Sequence, residues 1–510
     1  MVHHLDGRWY RWFDLVLSCQ NLKALELLII PCLFALIALV IPRNAMRYYA
    51  LIGGVVSTVV ALVHAMYFIP TTAYVSLVDP QWTTTFGLTY KMGYDGISLL
   101  MVVLTNVITL LILLSNFNKE LASNRMFTIM VFFMQLALLG VFLSMDGLLF
   151  YIFWEITLIP VFLIALWFGN PGRKPALIKF FIYTFVGSLA MLLALMAIKM
   201  GIGGQAEAVS FAWADLMAVQ LTSCSACWIF GGFLFAFAVK IPLFPFHTWQ
   251  PDTYTKSPMA GTMLLSALML KMALYGMIRW MIPLAPEALE SMELPIIILA
   301  TIGVVYAAIL AIKQNDIKRT FAFASISHVG LIAAGIVLWN MDAMSGALIQ
   351  MLNHSMVAVG LFLAVDIIES RTGLREMDQL GGIAKQAPKF AFMFGVIGLA
   401  SISVPLTSGF IGEFLLIRGV YSYNWIIGLI IGSTLVFGAV YTLRAYQLSM
   451  YGPSKNFNFP DLAWNEWLVF FVLMVVIVIL GICPQLVIDF VAPSVTRLFE
   501  YVESSKNIAL

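Results

Sequence analysis

Six side chains in this sequence combine an ionisable group with an apolar setting. Lys240 lies in FLFAFAVKIPLFPF, Lys271 in LLSALMLKMALYG, Glu155 in LFYIFWEITLIPVF and Glu413 in SGFIGEFLLI, while His328 and His354 occupy FASISHVGL and MLNHSMVAVG. A charge at the centre of a bilayer costs about 2.5–3.5 kcal/mol on insertion scales, so each is a functional candidate by default. The mixture suits proton transfer. Lysine in low-dielectric surroundings gives up its proton more readily, a nearby carboxylate makes it hold on, and moving that carboxylate switches between the two. Histidine relays in either direction. The competing structural readings are an ion pair between Glu155 and Lys240, a snorkelling Lys271, and interhelical hydrogen bonds from the two histidines.

Two of these residues accompany helix breakers. Pro242, Pro245 and Pro251 follow Lys240 in KIPLFPFHTWQPD, and Pro405, Gly409 and Gly412 precede Glu413 in VPLTSGFIGEF. Proline removes a backbone donor and clashes with the preceding turn, and unwound backbone at membrane depth survives only inside protein or beside water. Interrupted helices in corresponding positions of two halves point to a translocation site. Val239-Lys240-Ile241-Pro242-Leu243 is similar to Ile402-Ser403-Val404-Pro405-Leu406, an offset of 163 residues. That shift carries the spans of residues 126–285 onto those of 290–447, and five spans per repeat make the two repeats inverted. His247, just past the first break, is a candidate for proton uptake or a helix cap. His64, in VVALVHAMYF, has no charged or broken-helix company and reads as structural.

The elements that carry these residues follow from composition. Of 510 residues, 62% are hydrophobic and 11% charged, with a mean hydropathy of +0.96. Soluble domains carry about 25% charged residues, so the chain is expected to be a single all-α polytopic membrane domain over 1–510. A hydrocarbon core about 30 Å thick needs about 20 apolar residues in helix. About fourteen such runs are present, centred near residues 33, 58, 106, 135, 157, 189, 236, 268, 304, 329, 356, 404, 434 and 476, with the longer linkers at 70–95, 201–223 and 370–388. The net charge of +2 gives no reason to expect a nucleic-acid partner; the lipid bilayer is the expected environment.

Basic residues set the orientation. One set of alternate loops holds 17 lysines and arginines, among them Arg173, Lys318 and Arg375, and the opposite loops with the termini hold nine, among them Arg279. The first set is expected in the cytoplasm and both termini on the other side. The opening MVHHLDGRWYRWFDLVLSCQN lacks the apolar core and small-residue cleavage site of a signal peptide, and is expected along the membrane surface. Cys19, Cys32, Cys224, Cys227 and Cys483 read as small hydrophobes, because Cys224-Ser-Ala-Cys227 stands alone. No metal site, Rossmann glycine fingerprint, cluster-type cysteine spacing or haem ligand set is expected in this chain.

The stretches FYIFWEITLIPVFLIALW, FAFAVKIPLFPFHTWQPD, LMLKMALYGMIRW, QNDIKRTFAFASISHVG and GFIGEF together resemble the antiporter-like membrane subunits of respiratory complex I, the proton-pumping NADH:quinone oxidoreductase. The resemblance spans roughly residues 25–490. It implies fourteen spans with two inverted five-helix repeats and two broken helices. It further implies that Glu155 of the fifth span pairs with Lys240 of the broken seventh, and that Lys271 of the eighth is the centre of a hydrated axis. His328 and His354 then bridge to the second half-channel, and Glu413 of the twelfth lies toward the exit. Where the family commonly reads leucine and histidine after the first break, this chain has Gln250 and Tyr254.

The resemblance also implies a bacterial inner (plasma) membrane location and partner subunits that include the L-like and N-like antiporter subunits. NADH, flavin, iron–sulfur clusters and quinone would then be held by other subunits, with no redox chemistry in this chain alone. The rival readings are an Mrp-type cation/proton antiporter subunit, a membrane-bound hydrogenase subunit and a passive scaffold. Glu413 resembles one branch of the family, since the L and N subunits and the Mrp relatives carry lysine there. No long lateral helix is expected after the fourteenth span.

Overall fold

The computed structural model describes residues 23–69, 75–77, 81–83, 88–202, 208–453, 455 and 457–508. The N-terminal segment expected on the membrane surface, with Cys19, lies outside the described residues.

Helix dominates, for the reason that made the composition legible: in lipid, each backbone donor and acceptor needs a partner within its own segment. Among the described residues six long helices precede the first broken span: α1 (Lys23–Ile37), α2 (Arg43–Met66), α3 (Gly96–Ser115), α4 (Arg125–Leu143), α5 (Gly147–Phe168) and α6 (Arg173–Lys199). The broken span is α7 (Ser223–Lys240) with α8 (Trp249–Lys256). Then come α9 (Met259–Leu284), α10 (Pro286–Lys313), α11 (Ile317–Val337) and α12 (Met341–Thr372). The second broken span is α13 (Pro388–Ser401) with α14 (Ser408–Tyr423), followed by α15 (Trp425–Met450), α16 (Trp464–Ile482) and α17 (Gln485–Ile508). Twelve helices among the described residues are long and apolar enough to cross a membrane, and the shorter α1 and α13 complete the fourteen expected spans.

Several helix starts are fixed by short polar side chains, each accepting from an otherwise orphaned first-turn N–H. Asp95 caps α3 through Ser98 N at 2.9 Å, Asp146 caps α5 through Leu148 N at 2.9 Å, and Asp316 caps α11 through Lys318 N at 2.8 Å. Helices α2, α6, α15 and α16 lie outermost, with most of their residues at least partly uncovered, and α9 and α12 are enclosed along their length. The polar residues of this protein are thus turned inward, the reverse of a soluble bundle.

Both breaks contain left-handed backbone at residues with side chains: Pro242 (φ 29°) in the first, Ser403 (φ 57°) and Leu406 (φ 77°) in the second. Pro245 follows a cis peptide bond in the first break, and Pro405 stands between the two strained residues of the second. Gly409, expected to help break the helix, lies instead inside the first turn of α14. It serves close packing: a Cβ there would stand 2.8 Å from the Ala400 carbonyl and 2.9 Å from Asn353 Nδ2.

The 70–95 linker contributes short antiparallel pairs, Val75–Leu77 with Met92–Tyr94 and Gln81–Thr83 with Leu88–Thr89. Three other features depart from expectation. Arg279, assigned to a loop, is wholly buried within α9 and ion-paired with buried Asp95. Lys318 is buried as well, its Nζ donating to the Ser257 carbonyl at 2.7 Å. And α17 is a 24-residue helix beyond the fourteenth span, whose Val487, Val491, Val495, Leu498 and Val502 are buried at helical spacing.

Candidate functional site

Lys271 sits in α9 between two π-helical turns, Leu265–Met269 and Met277–Met281. Such turns leave main-chain carbonyls off the regular ladder and often mark functional sites. Lys271 Nζ uses one, donating to the Ser266 carbonyl at 2.8 Å, and its second contact is His354 Nδ1 at 2.6 Å. The His354 ring faces that of His328. His328 Nδ1 in turn lies 2.8 Å from Glu413 Oε1, and its Nε2 lies 3.3 Å from the Tyr441 hydroxyl. Four of the six residues picked out by type alone therefore form one line across α9, α12, α11 and α14. Lys271, His354 and Glu413 are buried, and His328 is largely so.

The line is held by neutral polar residues that sequence reasoning passed over. Gln350 Nε2 donates to Glu413 Oε1 at 2.9 Å, Asn353 Nδ2 to Gln350 Oε1 at 3.3 Å, and Ser408 Oγ to Asn353 Oδ1 at 2.8 Å. A signal was present: Gln350, Asn353 and His354 occupy positions i, i+3 and i+4, one face of α12. Gly412 lets α14 approach that face, since a Cβ there would stand 2.7 Å from Gln350 Oε1. A cavity of about 20 Å³ opens beside both histidines, lined also by Ser266, Ser325 and Tyr441. That is room for about one water molecule with several polar partners.

Glu155 and Lys240 form a separate group. Lys240 is the last residue of α7, where a cation meets the negative end of the helix dipole. Its Nζ lies 5.1 Å from the Trp154 ring centre, within cation–π range. The expected contact ion pair is not formed: Lys240 Nζ and Glu155 Oε1 are both buried without a hydrogen-bond partner, although the two charges lie within electrostatic reach. Lys240 is thus a buried cation with no hydrogen-bond acceptor, an arrangement that costs stability and that recurs at functional sites.

His247 lies in the 3₁₀ turn Phe246–Thr248, between the left-handed Pro242 of the first break and α8. It is buried between the rings of Phe244 (5.7 Å) and Tyr306 (5.3 Å), and its Nδ1 has no hydrogen-bond partner. Gln250 and Tyr254 are fully buried on α8, with Tyr254 turned toward Ser266 and Ser325. His64 does have charged company, its Nε2 lying 3.6 Å from Glu26 Oε2 and its Nδ1 3.2 Å from the Tyr94 hydroxyl, contacts in keeping with a structural histidine. Cys32, Cys224, Cys227 and Cys483 are free thiols. Among the described residues no three His, Cys, Asp or Glu side chains converge as a metal site.

Broken helices around a buried line of lysine, histidine and glutamate define an ion-translocating membrane subunit of the antiporter-like class. Residues 144–438 match the family described as NADH:quinone oxidoreductase/Mrp antiporter, transmembrane. NADH-quinone oxidoreductase subunit M of Rhodobacter capsulatus is 36% identical over 472 residues, covering 90% of this chain and 91% of that one. A chain in respiratory complex I from Thermus thermophilus superposes with a TM-score of 0.85 at 28% identity, over 96% of this chain and 100% of that one. A chain of the Mrp complex from Dietzia sp. shares the fold, with a TM-score of 0.83 at 18% identity, over 95% and 99%. The chain belongs to the NADH:quinone oxidoreductase/Mrp antiporter family, as an antiporter-like proton-translocating subunit of the complex I membrane arm.

Proposed function

We propose that protons cross this subunit along Glu155, Lys240, Lys271, His354, His328 and Glu413. The observation that carries the reading is the run of buried contacts from Lys271 through His354 and His328 to Glu413, with a 2.6 Å contact at one end and a 2.8 Å contact at the other. Glu155 and Lys240 are the first group, Lys240 being the base whose proton affinity depends on the position of the Glu155 carboxylate. His247 is the uptake residue before them, and Glu413 hands the proton toward the exit. Residues 126–285 and 290–447 act as two inverted repeats, one around each break.

The chain works within an NADH:quinone oxidoreductase of the bacterial inner membrane, with both termini on the periplasmic side, beside L-like and N-like antiporter subunits. Flavin, iron–sulfur clusters and quinone sites belong to partner subunits, so the driving energy reaches this chain through its neighbours.

Reconstituting the purified complex in liposomes with Lys271→Ala in this chain tests the reading. Assembly should be retained and proton uptake per NADH oxidised should fall. Unchanged uptake would refute it, as would uptake replaced in full by sodium transport.

A further inference from the structure

On the side of the lysine-rich loops, a surface cavity of about 270 Å³ opens between the start of α6 and the end of α8, lined by Gly172, Lys179, Asp252, Lys256 and Arg319. Its charges are unequal. Lys179 Nζ and Arg319 Nη1 share one carboxylate, Asp252, at 3.1 and 3.3 Å. Lys256 points toward Gly172, where a Cβ would lie 3.7 Å from its Nζ, and it forms no ion pair among the described residues. Three cations thus surround one anion, leaving the cavity with an excess of about two positive charges.

Directly below, α6 turns a row of large apolar side chains outward: Ile178, Ile182, Phe185, Leu189 and Leu193, from 38% to 70% exposed. They recur at i, i+4, i+7, i+11 and i+15, a single helix face about 22 Å long. In a membrane protein such a face meets acyl chains or another apolar helix. A cationic cavity at the top of an acyl-sized apolar track is the arrangement that takes an anionic headgroup at the cytoplasmic leaflet.

We propose that this cavity binds an anionic phospholipid. Lys179, Lys256 and Arg319 hold the phosphate, and the acyl chains run down the Ile178–Leu193 face of α6. Lys256 supplies the cation that no side chain neutralises, and Lys179 contributes by dividing Asp252 with Arg319. A free phosphate would use the same cations but gain nothing from the apolar face.

The test uses the intact complex washed in detergent and placed in phosphatidylcholine nanodiscs doped with phosphatidylglycerol, with retained lipid read by mass spectrometry. Wild-type complex should retain phosphatidylglycerol over phosphatidylcholine. Lys179→Gln with Lys256→Gln should weaken retention by about tenfold to thirtyfold, the effect of removing two charges at a membrane surface. Arginine at both positions should keep the lipid, and Lys174→Gln, exposed outside the cavity, should leave retention unchanged. Equal retention of both lipids, undiminished retention in the double glutamine variant, or full displacement by inorganic phosphate would overturn the proposal. So would finding that the double variant releases a neighbouring subunit while its lipid content stays the same.

Discussion

The rings of His328 and His354 face each other with centroids 6.2 Å apart at 59°, and each spends its contacts on the other side, His354 on Lys271 and His328 on Glu413 and Tyr441. The line from Lys271 to Glu413 therefore has one step too long for a direct hydrogen bond. The small cavity lies at that step. A bridging water between two polar groups is nearly as good as a direct bond, so the cavity is the place where proton transfer is most easily blocked.

Filling it should stop transfer without touching an ionisable group. Ala358 lines the cavity, and Ala358→Leu places added carbon atoms where a bridging water would sit. Overpacking costs about 1–3 kcal/mol, a loss that a large bundle tolerates. Proton uptake should fall about tenfold, equivalent to about 1.4 kcal/mol in the barrier, in a complex that assembles normally on native gels. Uptake at the wild-type level would mean that protons bypass the histidine step.

Lys240 and Arg279 are both buried cations, and their partners make opposite expectations. Arg279 is ion-paired with Asp95, so Arg279→Met leaves a buried carboxylate alone, which costs about 3–5 kcal/mol. Thermal stability and assembly should suffer. Lys240 has no hydrogen-bonded or ion-paired partner to orphan, only the Trp154 ring beside it, so Lys240→Ala should cost the complex less stability than Arg279→Met while abolishing most proton uptake. A Lys240→Ala complex that melts early yet pumps normally would assign this lysine to structure.

Native thiols give a test of orientation. Cys224, at the start of α7, and Cys483, just after α16, are exposed, and both belong to the side expected outside the cytoplasm. An impermeant maleimide should label them in spheroplasts of intact polarity. Cysteines introduced at Lys174, Lys313 or Asp378, exposed on the opposite face, should react only after the membrane is opened. Lys318 itself is a poor probe position because it is buried. The reverse labelling pattern would invert the direction of transport along the whole line.

These contrasts also define what the sequence could tell. Span number, the two proline breaks and the six ionisable candidates were legible because each is a local departure in composition: a charge or a proline inside an apolar run. Pairing was not. Lys271 and His354 are 83 residues apart and His328 and Glu413 are 85 apart, distances over which spacing carries no contact information. Arg279 and Lys318 read as loop residues in the sequence because both lie near the ends of hydrophobic runs, where hydropathy cannot tell a solvated cation from one enclosed by neighbouring helices. The α17 helix does not stand out in hydropathy because its apolar residues recur by periodicity and not by density. Gln350, Asn353 and Tyr441 went unremarked because a single neutral polar residue in a span is most often a helix–helix hydrogen-bonder, which is also what they are here.

Glu413 ends the line, and its surroundings make a clean substitution possible. Its Oε1 receives Gln350 Nε2 at 2.9 Å and faces His328 Nδ1 at 2.8 Å. Glu413→Gln keeps the length, an acceptor oxygen and the contact with Gln350, so packing and assembly should be retained. What it loses is titration: the amide cannot take a proton from His328 and release it. If Glu413 transfers protons, the variant complex should show quinone reduction and proton uptake lowered together, by about tenfold or more, the lower side of what a positioned acid–base group contributes. Glu413→Asp keeps a carboxyl group but withdraws it by about one methylene, roughly 1.5 Å, enough to break the contact with His328 yet leave a gap that one water spans. It should restore part of both activities. A structural role predicts the opposite order, because aspartate would lose both hydrogen bonds and glutamine would lose neither. Normal uptake in the glutamine variant with impaired assembly of the aspartate variant would therefore make Glu413 a packing residue and end the proton line at His328.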